Sequence, residues 1–218
     1  FIMERGHGSP EGGSYNQDHI PVLEQTEAVG HAVRAGYLYA GMADVAALKT
    51  ESGYMPVLER LWNDVVAHKL YLTGGVGAVG KIEGYGPPYE LPNLSAYCET
   101  CAGIALVYWN HRMFLHTGDA KYLDIVERAI YNGFLSGVSM TGDRFFYPNP
   151  LESIAGAERS PWFTCACCPS NDVRFVASLP GYAYATGRNA IFVNLYMGGT
   201  ASVHMADRIV QLRQKTRY

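Results

Sequence analysis

A chain of 218 residues, 48% of them hydrophobic, has enough apolar surface to bury a full core, because one domain takes about 100 to 200 residues; a disordered protein is excluded. A net charge of -3 and a pI near 6.2 lack the basic excess that nucleic acid requires, so a small or carbohydrate ligand is expected instead. No run of about 18 apolar residues is present, which argues against a membrane partner.

In chain order, the first residues read as a polar loop without the pattern of a signal peptide. Because the chain opens on Phe1 and stops after strand-like sequence, it is expected to be an internal piece of a longer protein. Helical spacing of Val22, Val29, Ala32, Val33, Leu38, Met42 and Val45 predicts one long helix from Pro21 to about Lys49. A second helix is expected from about Tyr54 to Leu72, ended by Gly74 and Gly75, and then a long Gly- and Pro-rich loop to Pro92.

Further helices are expected from about Leu94 to His116 and from Lys121 to Val138, separated by the turn at 116–119. The helix starts YMPVLER at Tyr54 and YLDIVER at Tyr122 resemble each other, a weak repeat that suggests stacked helical hairpins. Residues Arg144 to Leu151 read as a short aromatic strand, and Asn171 to Tyr184 as another helix. After Gly187 the pattern turns β-rich, and Ala190–Tyr196 and Thr200–His204 read as a hairpin around Gly198 and Gly199. The expected fold is mainly α. Part of an (α/α)6 toroid or barrel occupies 1–187, and the first strands of a truncated β-sandwich domain occupy 188–218.

Five cysteines cluster at 98, 101, 165, 167 and 168, a pattern that suits metal binding or catalysis better than a disulfide framework. The same clustering suggests a reducing compartment, and hence a cytoplasmic location, or protection of the thiols by a bound ion. By spacing alone, Cys98-x-x-Cys101 and Cys165-x-x-Cys168 form a pair of CxxC pairs, the pattern of a tetrahedral structural zinc site. That reading makes the chain a non-catalytic, zinc-stabilised helical domain. Against it, Cys98 and Cys101 fall inside a helical pattern, and Cys167-Cys168 abut Pro169 without the tight glycine turns of a zinc knuckle. The repeated helix starts leave a third reading open, a helical scaffold for protein partners.

Five stretches together resemble the β-L-arabinofuranosidase family, glycoside hydrolase family 127. They are Glu24–Arg34 (EQTEAVGHAVR), Leu91-Pro-Asn93, Glu99-Thr-Cys101-Ala102, Tyr147–Glu152 (YPNPLE) and Cys165-Ala-Cys-Cys-Pro169. The resemblance implies a Zn2+ ion held by Glu99, Cys101, Cys167 and Cys168, with Cys167 as nucleophile and Glu83 as general acid and base. It also implies sugar contacts from His31, Glu127 and Tyr147, a carbohydrate substrate carrying β-L-arabinofuranose, and, for the full-length protein, a homodimer. Cys98 and Cys165 then become neighbours of the metal set, not members of it.

The chemistry is coherent in itself. A free thiol titrates near pH 8.5, whereas a coordinated one is deprotonated outright, so zinc supplies a thiolate at about neutral pH. A retaining glycosidase needs a nucleophile on one face of the sugar and an acid/base on the other. Taken singly, the residues have plainer readings: Glu83 as a solvated loop carboxylate, His31 as a satisfied core histidine, Glu127 as a helix charge beside Arg128, and Tyr147 as a strand aromatic. Sixteen tyrosines suit a sugar cleft.

Overall fold

The computed structural model describes residues 13–154 and 156–217; most of the polar loop expected at the start lies outside them. The chain divides into two compact units, Phe1–Val173 and Arg174–Tyr218. Among the described residues it is helical, with two small antiparallel sheets.

The first unit is built on α1 (Ala32–Leu48), α2 (Tyr54–Asp64), α3 (Thr100–Thr117) and α4 (Lys121–Arg128). α3 is apolar on nearly every side and buries Ile104, Leu106, Trp109 and Met113 completely or almost so, as a helix at the centre of a core must. Against it α1 presents small residues: a methyl group added at Gly36 would stand 2.7 Å from the Ala105 Cβ. That close approach lets the Tyr39 and Trp109 rings meet at 4.8 Å. On the other flank Trp62 of α2 packs edge-on against Tyr122 of α4 at 5.0 Å, and its indole N–H donates to the Asn110 side chain at 2.7 Å. Trp62 and Tyr122 lie on the two similar helices, and both helices end in a π-helical turn, Val65–Lys69 and Ala129–Phe134.

Four expectations for the residues up to α5 change. The long first helix starts only at Ala32, because Gly30 takes φ +73° and the residues before it are tied by side chains: the buried Gln25 amide donates to Gln17 O at 2.8 Å. The third helix starts at Thr100, not near Leu94. Residues 96–98 pair with other loops instead, with Cys98 N donating to Gly77 O and Asn149 N to Tyr97 O, and Cys98 at φ +42° breaks helical continuity. Of the strand expected at 144–151 only Phe145 makes bridges, to Val138 and Ser160; Pro148 and Pro150 have no N–H to give a ladder. The fifth helix, α5 (Cys167–Ser178), begins four residues before its expected start, with Pro169 tolerated in the first turn.

In the second unit, β1 (Tyr184–Thr186) pairs with β2 (Ile191–Val193), and β3 (Gly199–Met205) pairs with β4 (Arg208–Gln214). The expected hairpin around Gly198 and Gly199 is therefore replaced by two hairpins; Ala206 and Asp207 make the turn of the second. Along β3, Ala201, Val203 and Met205 are half-buried while Thr200, Ser202 and His204 are exposed, the alternation of a one-sided sheet.

Candidate active site

Three helix starts supply the first groups. Glu99 is the N-cap of α3 and Cys101 lies two residues on, Cys167 and Cys168 open α5, and His31 caps α1, with Nδ1 accepting from Arg34 N at 3.4 Å. A helix N-terminus carries about half a positive charge and free N–H groups, so it favours carboxylates and thiolates placed there. Cys167 Sγ lies 3.5 Å and Cys168 Sγ 3.6 Å from Glu99 Oε1, and the two sulfurs are 3.9 Å apart. The Tyr147 hydroxyl stands 3.1 Å from Cys167 Sγ, its ring edge-on to Phe163 at 5.6 Å.

Glu83 comes from the long loop. A 3-10 turn at Gly80–Ile82 leads into it, and Glu83 itself adopts φ +50°. The next residue has to be glycine: a Cβ at Gly84 would lie 2.2 Å from Gly30 O. With nothing there, Ala32 N donates to Glu83 O at 3.0 Å and Tyr85 N to Gly30 O at 3.0 Å, and the loop docks on the start of α1. Glu83 Oε2 then sits 3.1 Å from His31 Nε2, and Oε1 accepts from the Tyr97 hydroxyl at 2.7 Å. Behind this segment, Asp64 Oδ2 accepts Ala28 N at 2.8 Å while the buried Lys69 ammonium donates to Ala28 O at 2.8 Å.

The cluster is electrostatically unsatisfied as a set of bare side chains. Burial, then the Glu83 charge, raise the Glu99 carboxyl to about 7. Burial pushes the Cys167 thiol up to about 12, against the Tyr147 hydroxyl, which donates to the thiolate and favours it. Cys168 is raised further still by its hydrogen bond with Cys101 and by burial. Around it Tyr97 and Tyr147 are also held well above the usual phenol range, by burial first and then by their bonds to Glu83 and Cys167. His31 is lowered by burial and by Arg34.

A cation at the centre would reverse this logic, and the donor geometry fits one. Glu99, Cys101, Cys167 and Cys168 offer ligand atoms all within 4.8 Å of one another. A tetrahedron with zinc–sulfur bonds of about 2.3 Å and zinc–oxygen bonds of about 2.0 Å has S···S edges near 3.8 Å and S···O edges near 3.5 Å; the 3.9, 3.5 and 3.6 Å separations match them. Glu99 Oε2 is buried with no hydrogen-bond partner. Among the described residues, then, a Glu/Cys cluster is present that can hold a metal ion.

Of the residues singled out in the sequence, Cys101, Cys167, Cys168 and Glu99 converge, and Tyr147, Glu83 and His31 border them. Glu127 is exposed on α4 and no hydrogen bond or ion pair joins it to the cluster. The set suggested by CxxC spacing does not assemble: Cys98 packs with Tyr71, Ala78 and Ala96 in a separate apolar cluster, and Cys165 is exposed. Tyr97, whose hydroxyl donates to Glu83, is a contact in the site that sequence reasoning missed. Reading 94–98 as helix hid it, because a left-handed turn at Cys98 carries no sequence signal.

Comparisons with known proteins give the family. The model of the β-L-arabinofuranosidase, GH127 catalytic domain matches residues 1–181. A non-reducing end β-L-arabinofuranosidase of Bifidobacterium longum subsp. longum is 33% identical over 201 residues, covering 86% of this chain and 30% of that protein. A solved GH127 β-arabinofuranosidase is 53% identical with a TM-score of 0.96, over 100% of this chain and 34% of its own. The GH127 β-L-arabinofuranosidase of Geobacillus stearothermophilus T6 is 42% identical, with a TM-score of 0.91 over 97% of this chain and 35% of its own. The chain thus spans about a third of the length of these relatives, and it belongs to glycoside hydrolase family 127, the β-L-arabinofuranosidase family.

Proposed function

We propose that this chain carries the reacting groups of a retaining glycoside hydrolase that releases β-L-arabinofuranose from plant-type glycans or glycoproteins. The observation that carries the proposal is the half-buried Cys167 Sγ, flanked by the Tyr147 hydroxyl at 3.1 Å and Glu99 Oε1 at 3.5 Å. The relatives' printed activities support it.

Glu99, Cys101, Cys167 and Cys168 would hold zinc, which supplies the positive charge that keeps their thiols ionised at neutral pH. In the first step the Cys167 sulfur attacks the anomeric carbon while the bond to the leaving oxygen breaks, and Glu83 delivers its proton to that oxygen. The glycosyl group is then bound to Cys167. In the second step Glu83 takes a proton from water, the water oxygen attacks the same carbon, and the carbon–sulfur bond breaks to return the sulfur electron pair. Two inversions give net retention. The Tyr147 hydroxyl stabilises the departing thiolate, and His31 and Tyr97 fix the Glu83 carboxylate from its two oxygens. His31 and Tyr147 also bind sugar hydroxyls in this reading; Glu127 is assigned one on resemblance alone.

At the level of domains, 1–187 belong to an (α/α)6 toroid and 188–218 to a β-sandwich domain. The whole protein acts as a homodimer, in a cytoplasm that keeps its five free cysteines reduced. Among the described residues no helix is long and apolar enough to cross a membrane. Replacing Cys167→Ser tests the nucleophile: turnover of an aryl β-L-arabinofuranoside should vanish while circular dichroism is unchanged. Near-full activity of the folded variant would overturn the assignment.

A further inference from the structure

Glu99 has two oxygens, and the thiol cluster accounts for one. Oε1 lies 3.5 and 3.6 Å from the sulfurs of Cys167 and Cys168, whereas Oε2 is buried and takes no hydrogen bond, on a side chain only 3% exposed. Glu99 also belongs to a second group: His31, Glu83 and Glu99 offer ligand atoms within 4.8 Å of one another. We infer that these three residues form a second divalent-cation site beside the thiolate site, and that its occupation by zinc stops the reaction.

The donor types and spacing suit the ion. Imidazole nitrogen and carboxylate oxygen are both zinc ligand types, and ligands at about 2.0–2.1 Å in a tetrahedron stand about 3.3 Å apart. His31 Nε2 and Glu83 Oε2 are already 3.1 Å apart. The loop docking described above fixes that pair, and the Tyr97 hydroxyl occupies only the other oxygen of Glu83, so Oε2 can accept the ion without losing that bond.

The site is the weaker of the two. His31 Nδ1 accepts Arg34 N at 3.4 Å, so the neutral ring carries its proton on Nε2. Taking up a cation at Nε2 moves that proton to Nδ1, which then faces the Arg34 N–H and loses the bond. The ion also shares Glu99 with the thiolate site. The thiols also give up protons to an ion, but as thiolates they are softer and better zinc donors and share no backbone bond that must break.

Its consequence rests on the proposed function. A cation on Glu83 occupies the carboxylate that must carry a proton to the leaving oxygen, so an ion required at the sulfurs inhibits when it is in excess. Equilibrium dialysis of the protein already carrying one equivalent of zinc, against zinc alone, tests the site without reference to turnover. Wild type should bind a second equivalent at least tenfold more weakly than the first. His31→Asn, which keeps an N-cap side chain, and separately Glu83→Gln should each lose the second equivalent and retain the first. In wild type, hydrolysis of an aryl β-L-arabinofuranoside should fall along the second binding curve. Binding of one equivalent only, retention of the second by both variants, or turnover indifferent to it overturns the inference. Absence of turnover at one equivalent would instead count against the hydrolase reading, leaving the dialysis result to judge the cation site.

Discussion

Asp172 lies on α5 one helical turn beyond Cys168, 1% exposed, with no hydrogen-bond partner for either carboxylate oxygen. Burial raises it to about 7 from an ordinary 3.8. Between those values the folded state holds a proton that the unfolded state has released, so stability declines as pH rises through that window and levels off above it. The full effect is on the order of 4 kcal/mol. Asp172→Asn removes the titrating group, and chemical denaturation of variant and wild type from pH 4 to 8 should show the variant gaining on wild type steadily until about pH 7. A constant difference would mean that Asp172 is solvated in the native state. Nothing in the sequence marked Asp172, since a carboxylate in the first turns of a helix reads as an ordinary favourable charge. By contrast, spacing already named Cys101 and Cys168, whereas Glu99 and Cys167 could be named beforehand only through family likeness; spacing put Cys98 and Cys165 in their place, because CxxC periodicity cannot register that Cys98 turns into an apolar pocket through φ +42°.

The helices themselves were legible from apolar periodicity, and the π-helical ends of α2 and α4 fall within the expected spans. What periodicity could not place were the starts of α1, α3 and α5. Those starts hold His31, Glu99 with Cys101, and Cys167 with Cys168. The reason is physical: residues before a start can be apolar and buried, as Val22, Ala28 and Ala96 are, while their backbone is held by loop pairing, and hydrophobic spacing records burial, not hydrogen bonding. The docking of the Glu83 loop on α1 depends on Gly84 lying against Gly30 O. Gly84→Ala places a methyl group against backbone that cannot rotate away, so the loop must lift and carry Glu83 off His31. Turnover should drop at least a hundredfold, while thermal unfolding shifts by only a few degrees because the α1–α3 core is untouched. Calorimetry beside steady-state kinetics checks both, and unaltered kinetics would show that Glu83 is positioned by its own turn alone.

For the molecule as a whole, a set of two buried cysteines, a half-buried one and a buried glutamate is costly to fold without a counter-charge. Metal bound to the native state and not to the unfolded chain stabilises by about 2.7 kcal/mol at a free concentration a hundred times its dissociation constant. Removal with EDTA should therefore lower the thermal midpoint by several degrees, and zinc added back should restore it. A midpoint insensitive to chelation would leave the Glu/Cys cluster without a stabilising ion. Composition predicts a packed chain and apolar periodicity a mainly helical one, whereas the pairing of the late strands into two hairpins was lost to the competing turn signal at Gly198 and Gly199. The wide sequence separation inside the site has a kinetic meaning as well. Glu99 and Cys167 are 68 residues apart, and His31 and Glu83 52, so no single hairpin can present a complete set of donors. Tight metal capture must wait until α3 and the start of α5 have docked, and the rate at which a refolding chain takes up added zinc should then follow that step of its assembly.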